Sequence, residues 1–290
     1  MIVCACARKH ARKRWFCLFL LIAVTYMALL FSGCRSKPST DQGLVIKESK
    51  TGQYDEIEVA PGFLLLSNMW ATEEKTDQKI YLYDDGSYGW QWQRGDSGEN
   101  NPNYPKVVYG VTPWGQGVHD KTLLLPKQLK EIDTLLMELD FDYEVTNKAG
   151  WWSVTVEFFL TTEQPGPGED ITVSIQDEVM IYFDWQDETY SPLIPSAVVD
   201  GSYTYDLTKQ MDLDDWYYSQ FRIGEKGRVP KEVNLKRFLD YIKEEYNRSD
   251  DLWLSAVELG IMYNDQTAGQ GLVKKLDYVI NGERVSSGRP

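Results

Sequence analysis

The chain has 290 residues, 42% hydrophobic and 13% aromatic, with 30 Lys and Arg against 44 Asp and Glu, a formal net charge of −14. That aromatic content excludes a disordered chain, which buries too little apolar surface to offset the entropy of folding. The acidic balance excludes a nucleic-acid binder, which needs clustered Lys and Arg to neutralise phosphates.

From the N-terminus, a basic stretch over residues 8–14 precedes an uncharged apolar run from Trp15 to Phe31, the order of a secretory signal. The run ends in Leu30-Phe31-Ser32-Gly33-Cys34, which resembles the bacterial lipobox, whose Cys is lipidated and becomes the new N-terminus. Phe31 stands where that box usually has an aliphatic residue, and an uncleaved transmembrane anchor is the alternative. The expected organisation is a lipoprotein signal over 1–33, a lipid-anchored tether over 34–55, and one exported domain over 56–290. The domain would be held to a bacterial membrane, in the periplasm or at the cell surface. Cys4, Cys6 and Cys17 lie in the signal, so cleavage leaves Cys34 alone and no intramolecular disulfide. It also leaves 25 basic against 44 acidic residues, a net charge of −19.

Beyond the tether the chain reads as short strands punctuated by turns, the pattern of an all-β sandwich. Ile80–Tyr83 and Tyr88–Trp92 flank Asp84-Asp85-Gly86-Ser87, a predicted hairpin with Gly86 in the left-handed conformation. In the next informative strand Trp152, Val154, Val156, Phe158 and Leu160 form an apolar face. Trp151, Ser153, Thr155, Glu157 and Phe159 form the other, polar with aromatic ends, which suits a carbohydrate cleft. Over 171–185 the odd positions Val173, Ile175, Val179, Ile181 and Phe183 are predicted to face a core, leaving Glu178, Met180 and Tyr182 on the opposite face. A stripe of Leu235, Phe238, Leu239, Ile242 and Tyr246 predicts one helix, with Asn234 as its N-cap. One helix on a sandwich fits a single domain.

Paired carboxylates on a concave sheet lined by aromatic rings are what glycoside hydrolysis uses. One attacks the anomeric carbon, a second protonates the leaving oxygen, and a separation of about 5–5.5 Å gives retention. A single Glu in a strand is more commonly a solvated surface group.

Glu178-Val179-Met180-Ile181-Tyr182 resembles the Glu-[Ile/Val]-Met-Ile-Trp nucleophile strand of glycoside hydrolase family twelve, endo-acting β-1,4-glucanases and xyloglucanases with a β-jelly-roll fold. Asn68-Met69-Trp70 resembles the family's early Asn-x-Trp. Tyr104-Pro105-Lys106-Val107-Val108-Tyr109-Gly110, followed by Pro113-Trp114-Gly115, resembles its Tyr-Pro…Tyr-Gly…Pro-Trp-Gly segment. The strand Ser153 to Thr162 resembles the one bearing the family's supporting carboxylate, here Glu157 in place of Asp. The resemblance covers roughly residues 60 to 282 and implies a jelly roll of two curved antiparallel sheets with one packed helix. It implies Glu178 as nucleophile and Glu157 as supporting carboxylate. Late in the chain the family's Glu-x-Gly-x-Glu is matched by Glu258-Leu259-Gly260-Ile261-Met262, which sets Met262 at the proton donor's position. A thioether cannot protonate a leaving oxygen, so either Asp265 or Glu157 supplies the proton, or the protein binds glucan without cutting it. An unrelated β-sandwich lipoprotein is a third reading.

Asn68, Trp70, Trp90, Trp92, Trp114 and Tyr182 are the expected substrate-binding residues, and Trp152 is expected in the core by parity. The expected partners are a β-glucan polysaccharide or oligosaccharide and a membrane reached through the lipid, with the protein a monomer. No cofactor or metal is called for: Asp212, Asp214 and Asp215 lack a calcium-loop pattern. His119 is the one histidine beyond the signal, and it reads as a loop or surface residue.

Overall fold

The computed structural model describes residues 44–289 except 70–75, 99–100, 119–122, 187–188 and 214. The expected signal, Cys34, Trp70, His119 and Asp214 lie outside the described residues, as does the tether up to residue 43. No described helix is long and apolar enough to cross a membrane.

Seventeen strands form two sheets, with one α-helix among the described residues. The smaller sheet runs β1 (Ile46–Lys50), β4 (Thr76–Tyr83), β5 (Tyr88–Arg94), β16 (Thr267–Ile280), β8 (Leu135–Lys148), β14 (Glu232–Asn234), with β17 (Glu283–Gly288) also on β16. The larger runs β11 (Ile194–Asp200), β12 (Tyr203–Asp212), β13 (Tyr217–Ile223), β10 (Ile175–Gln186), β9 (Trp152–Thr161), β15 (Trp253–Tyr263), β6 (Lys106–Gly110), β3 (Phe63–Leu66), β2 (Glu56–Ala60). The short β7 (Lys127–Gln128) pairs with β15. Pairing is antiparallel except between β10 and β13, which run parallel. The two-sheet sandwich expected from the turn spacing is present, and β1 corrects its predicted start. Residues 46–50 pair with β4, so five residues of the expected tether form an edge strand of the domain.

Alternation explains which face of each strand is buried. Val154, Val156 and Phe158 of β9 and Val179, Ile181 and Phe183 of β10 enter the core between the sheets, all 0% exposed. The predicted hairpin forms between β4 and β5, with Gly86 at φ +87°. Two expectations fail locally. Val173 is 95% exposed because residues 172–174 form a 3-10 turn before β10 begins, which breaks the period-two pattern. The helix α1 (Lys236–Glu245) is capped at Leu235 without a side-chain hydrogen bond, and the Asn234 amide instead donates to Asp200.

The helix buries Phe238, Leu239 and Ile242, and Phe238 meets Tyr205 of β12 and Phe221 of β13 edge to face. It therefore covers the core face of β12 and β13 and leaves their opposite face, continuous with that of β9 and β10, to form the site.

Candidate active site

The core-averted face of β10, β9, β15 and β6 carries the charged groups. Glu157 of β9 stands directly across from Glu258 of β15 and from Met180 of β10, and Glu178 lies two residues along from Met180. Lys106 of β6 shares this face with Glu258 and is ion-paired with it. Glu157 is 5% exposed, Glu258 0%, and Glu178 is half-buried. Three carboxyls around one lysine cannot all be ionised away from water. Burial first, then the charges of Glu258 and Glu178, push the Glu157 carboxyl well above the usual carboxylate range, which favours its protonated form. Burial also raises Glu178, opposed by hydrogen bonds from the Trp216 indole and from Glu157. The indole N–H of Trp216 reaches Glu178 Oε2 at 2.7 Å.

The site thus contains a half-buried carboxyl that accepts from the Trp216 indole, beside a buried carboxyl whose surroundings favour its protonated form. That is the division of labour required when one group attacks and another protonates. Asp265 does not join it. Burial of its carboxylate is outweighed by hydrogen bonds from the Ser97 side chain and the Ser97 and Gly98 amides, and Arg94 pairs with it at 2.6 Å, which holds it low and ionised. It fixes the loop after β5. Met262 lies opposite Ser153, four residues along β9 from Glu157, a displacement of about 13 Å. It is further still from Glu178, whose neighbour on β9 is Phe159.

The expected ring platforms divide. Trp114 is 43% exposed and meets Phe159, the residue across from Glu178, edge to face at 5.0 Å, with Lys106 Nζ 6.0 Å from its ring. Trp90 and Trp92 do not line a cleft. They share a face, but it is the core face of the smaller sheet, where they are 0% and 3% exposed. Each lies over a glycine directly opposite on β16, Trp90 on Gly271 and Trp92 on Gly269, and Trp92 stacks on Tyr263 at 4.8 Å. Tyr182 is on the site's face yet only 2% exposed, with the Arg222 guanidinium 5.5 Å from its ring, so it forms floor and offers no stacking surface. Asn68 is half-buried at φ +48° and its carbonyl accepts the Tyr104 amide at 3.1 Å, which anchors the segment leading into β6.

Sequence reasoning missed Trp216 and the row Tyr218, Gln220 and Arg222 on β13. Their signal was present as alternation against Ser219, Phe221 and Ile223, but the parallel partner of β13 was not predictable locally. Gln220 accepts from Arg222 Nε at 3.1 Å and donates to the Tyr218 hydroxyl at 3.0 Å, while Tyr218 reaches the Met180 sulfur at 3.3 Å. A bulge between Tyr182 and Asp184 turns Trp185 onto the site's face, where it lies 4.9 Å from Arg222. Lys106 enters the sequence reading only as part of a motif. A lone lysine opening an apolar strand was its signal.

No family model matches the sequence, and no curated protein does. Solved structures do match in fold. A native family 12 xyloglucanase from Bacillus licheniformis superposes with a TM-score of 0.66 at 18% identity, covering 81% of this chain and 100% of its own. An endoglucanase from Rhodothermus marinus gives 0.66 at 21% identity, covering 82% and 100%. The xyloglucanase domain of a type three effector from Sinorhizobium fredii, solved with cellobiose, gives 0.59 at 15% identity, covering 80% and 100%. The fold of this chain is therefore the jelly roll of the family 12 glycoside hydrolases.

Proposed function

We propose that this protein is a retaining glycoside hydrolase of the endo-β-1,4-glucanase type, acting on cellulose-type β-glucan or xyloglucan, with Glu178 as nucleophile. One observation carries the reading: the buried Glu157 stands across from Glu258 and diagonally from Glu178, so three carboxyls cluster on the core-averted face of the larger sheet. In the first step a Glu178 oxygen attacks the anomeric carbon, the bond to the leaving oxygen breaks, and that oxygen takes the proton held by the Glu157–Glu258 pair. Water then attacks the glycosyl ester, returns a proton to the pair and frees Glu178. Trp216 stabilises Glu178 as an anion, and Trp114 offers the ring on which a sugar stacks. The names of the similar structures, xyloglucanases and an endoglucanase, support the substrate class.

A second reading is capture of glucan without cleavage. The deep burial of Glu157 and Glu258 favours it, as does a donor position filled by Met262. On either reading a lipid at Cys34 would hold the domain on a bacterial membrane. Residues 35–290 incubated with β-glucan or xyloglucan should release new reducing ends, and Glu178→Ala should lower that rate about 10³-fold or more. Retained binding without new ends leaves only capture, and absence of both removes the glucan reading.

A further inference from the structure

Lys106 opens a strand that continues Val-Val-Tyr-Gly, and its side chain is 5% exposed. A buried charge at such a position needs a counter-charge, and Lys106 is ion-paired with Glu258, itself fully buried. Glu258 therefore has a cation on its β6 side and a protonatable carboxyl, Glu157, directly across on its β9 side. The other groups facing Glu157 are Glu178 from β10 and the Tyr104 phenol from the segment ahead of β6. Burial pushes that phenol well up, so it stays neutral.

We propose that Lys106 assigns the site's proton: paired with Glu258, which stands opposite Glu157, it leaves Glu157 as the carboxyl of the cluster on which the proton resides. Lys106 is a positioning residue, since it acts through Glu258. The catalytic meaning of this arrangement rests on the hydrolase reading above, whereas the placement of the proton does not.

The direct and the relayed effects of Lys106 have opposite signs. Acting directly on Glu157, the ammonium would favour the ionised form. Acting through Glu258, it favours the protonated form, because an ionised Glu258 directly across the strand pair repels a second charge. Carbon-13 titration of the glutamate carboxyls in the full chain, with Glu157 assigned by Glu157→Gln, separates the two. Lys106→Met removes the counter-charge of Glu258, so the Glu157 midpoint should fall by about one to two pH units, and Glu258→Gln should lower it likewise. The alkaline limb of glucan turnover should move down with it. A midpoint that rises or stays fixed in Lys106→Met overturns the proposal. Should Lys106→Met fail to fold, Lys106→Gln carries the same test: a lowered midpoint supports the relay, and a raised or unchanged one overturns it. A lowered midpoint in a protein that releases no reducing ends sinks the hydrolase reading alone. An unmoved midpoint in an active enzyme sinks this one alone.

Discussion

Met262 and Glu258 differ by four residues, and that interval decides where proton donation resides. Both face the site, but only Glu258 stands across from Glu157. Met262→Glu should accordingly leave glucan hydrolysis within about twofold of the parent. A gain of about 10²-fold or more, the usual worth of a general acid, would place the donor at Met262 and reverse the assignment. The tryptophans divide in the same manner. Trp90→Ala should cost about 3–5 kcal/mol in chemical denaturation, because it empties a packed core position, with little change in glucan affinity. Trp114→Ala should do the opposite, weakening binding while the unfolding midpoint holds. Parity alone put Trp90 and Trp92 on one face, correctly, but could not say which face. The glycines that receive them lie about 180 residues along the chain, on β16.

At the level of elements, the strand that bears Glu178 is tied to the helix that follows it in sequence. Asp177, next to Glu178, points to the core side and is 1% exposed, where Arg248 just beyond α1 meets both its oxygens at 2.8–3.1 Å. Burial raises the Asp177 carboxyl and Arg248 counteracts it. Removing the guanidinium leaves a buried carboxyl without its partner, so Arg248→Ala should destabilise the fold by about 3 kcal/mol in urea unfolding. Arg248→Lys should recover part of that, since lysine restores the charge without the fork. The strand and helix themselves were legible from periods of two and 3.6 residues. The β10–β13 parallel pair was not, and with it went Trp216, because no local pattern states which strand lies beside which.

Across the whole molecule, carboxylates shift in opposite directions and so act on stability over different pH ranges. Hydrogen bonds from Arg284 and Lys275 lower Glu138 to about 2, which gives stability present above its ordinary value and lost as pH falls toward 2. Glu157 is raised, so the folded state binds its proton more tightly than the unfolded state does. Its contribution therefore declines as pH rises above the ordinary Glu value. Between pH 5 and pH 8 the thermal midpoint of Glu157→Gln should fall less than that of the parent, and an equal slope would show that Glu157 is not protonated in the folded state. Composition and alternation by themselves determined an all-β sandwich, its hairpin and helix, and the two glutamates Glu157 and Glu178 on the face averted from the core, because these depend on side chains a few residues apart. Only the tertiary structure decided that Trp90 and Trp92 are core, that Glu258 and Lys106 complete the charge cluster, and that Trp216 holds Glu178. Those relations are set by strand order and register between distant segments, which one strand's own residues do not specify.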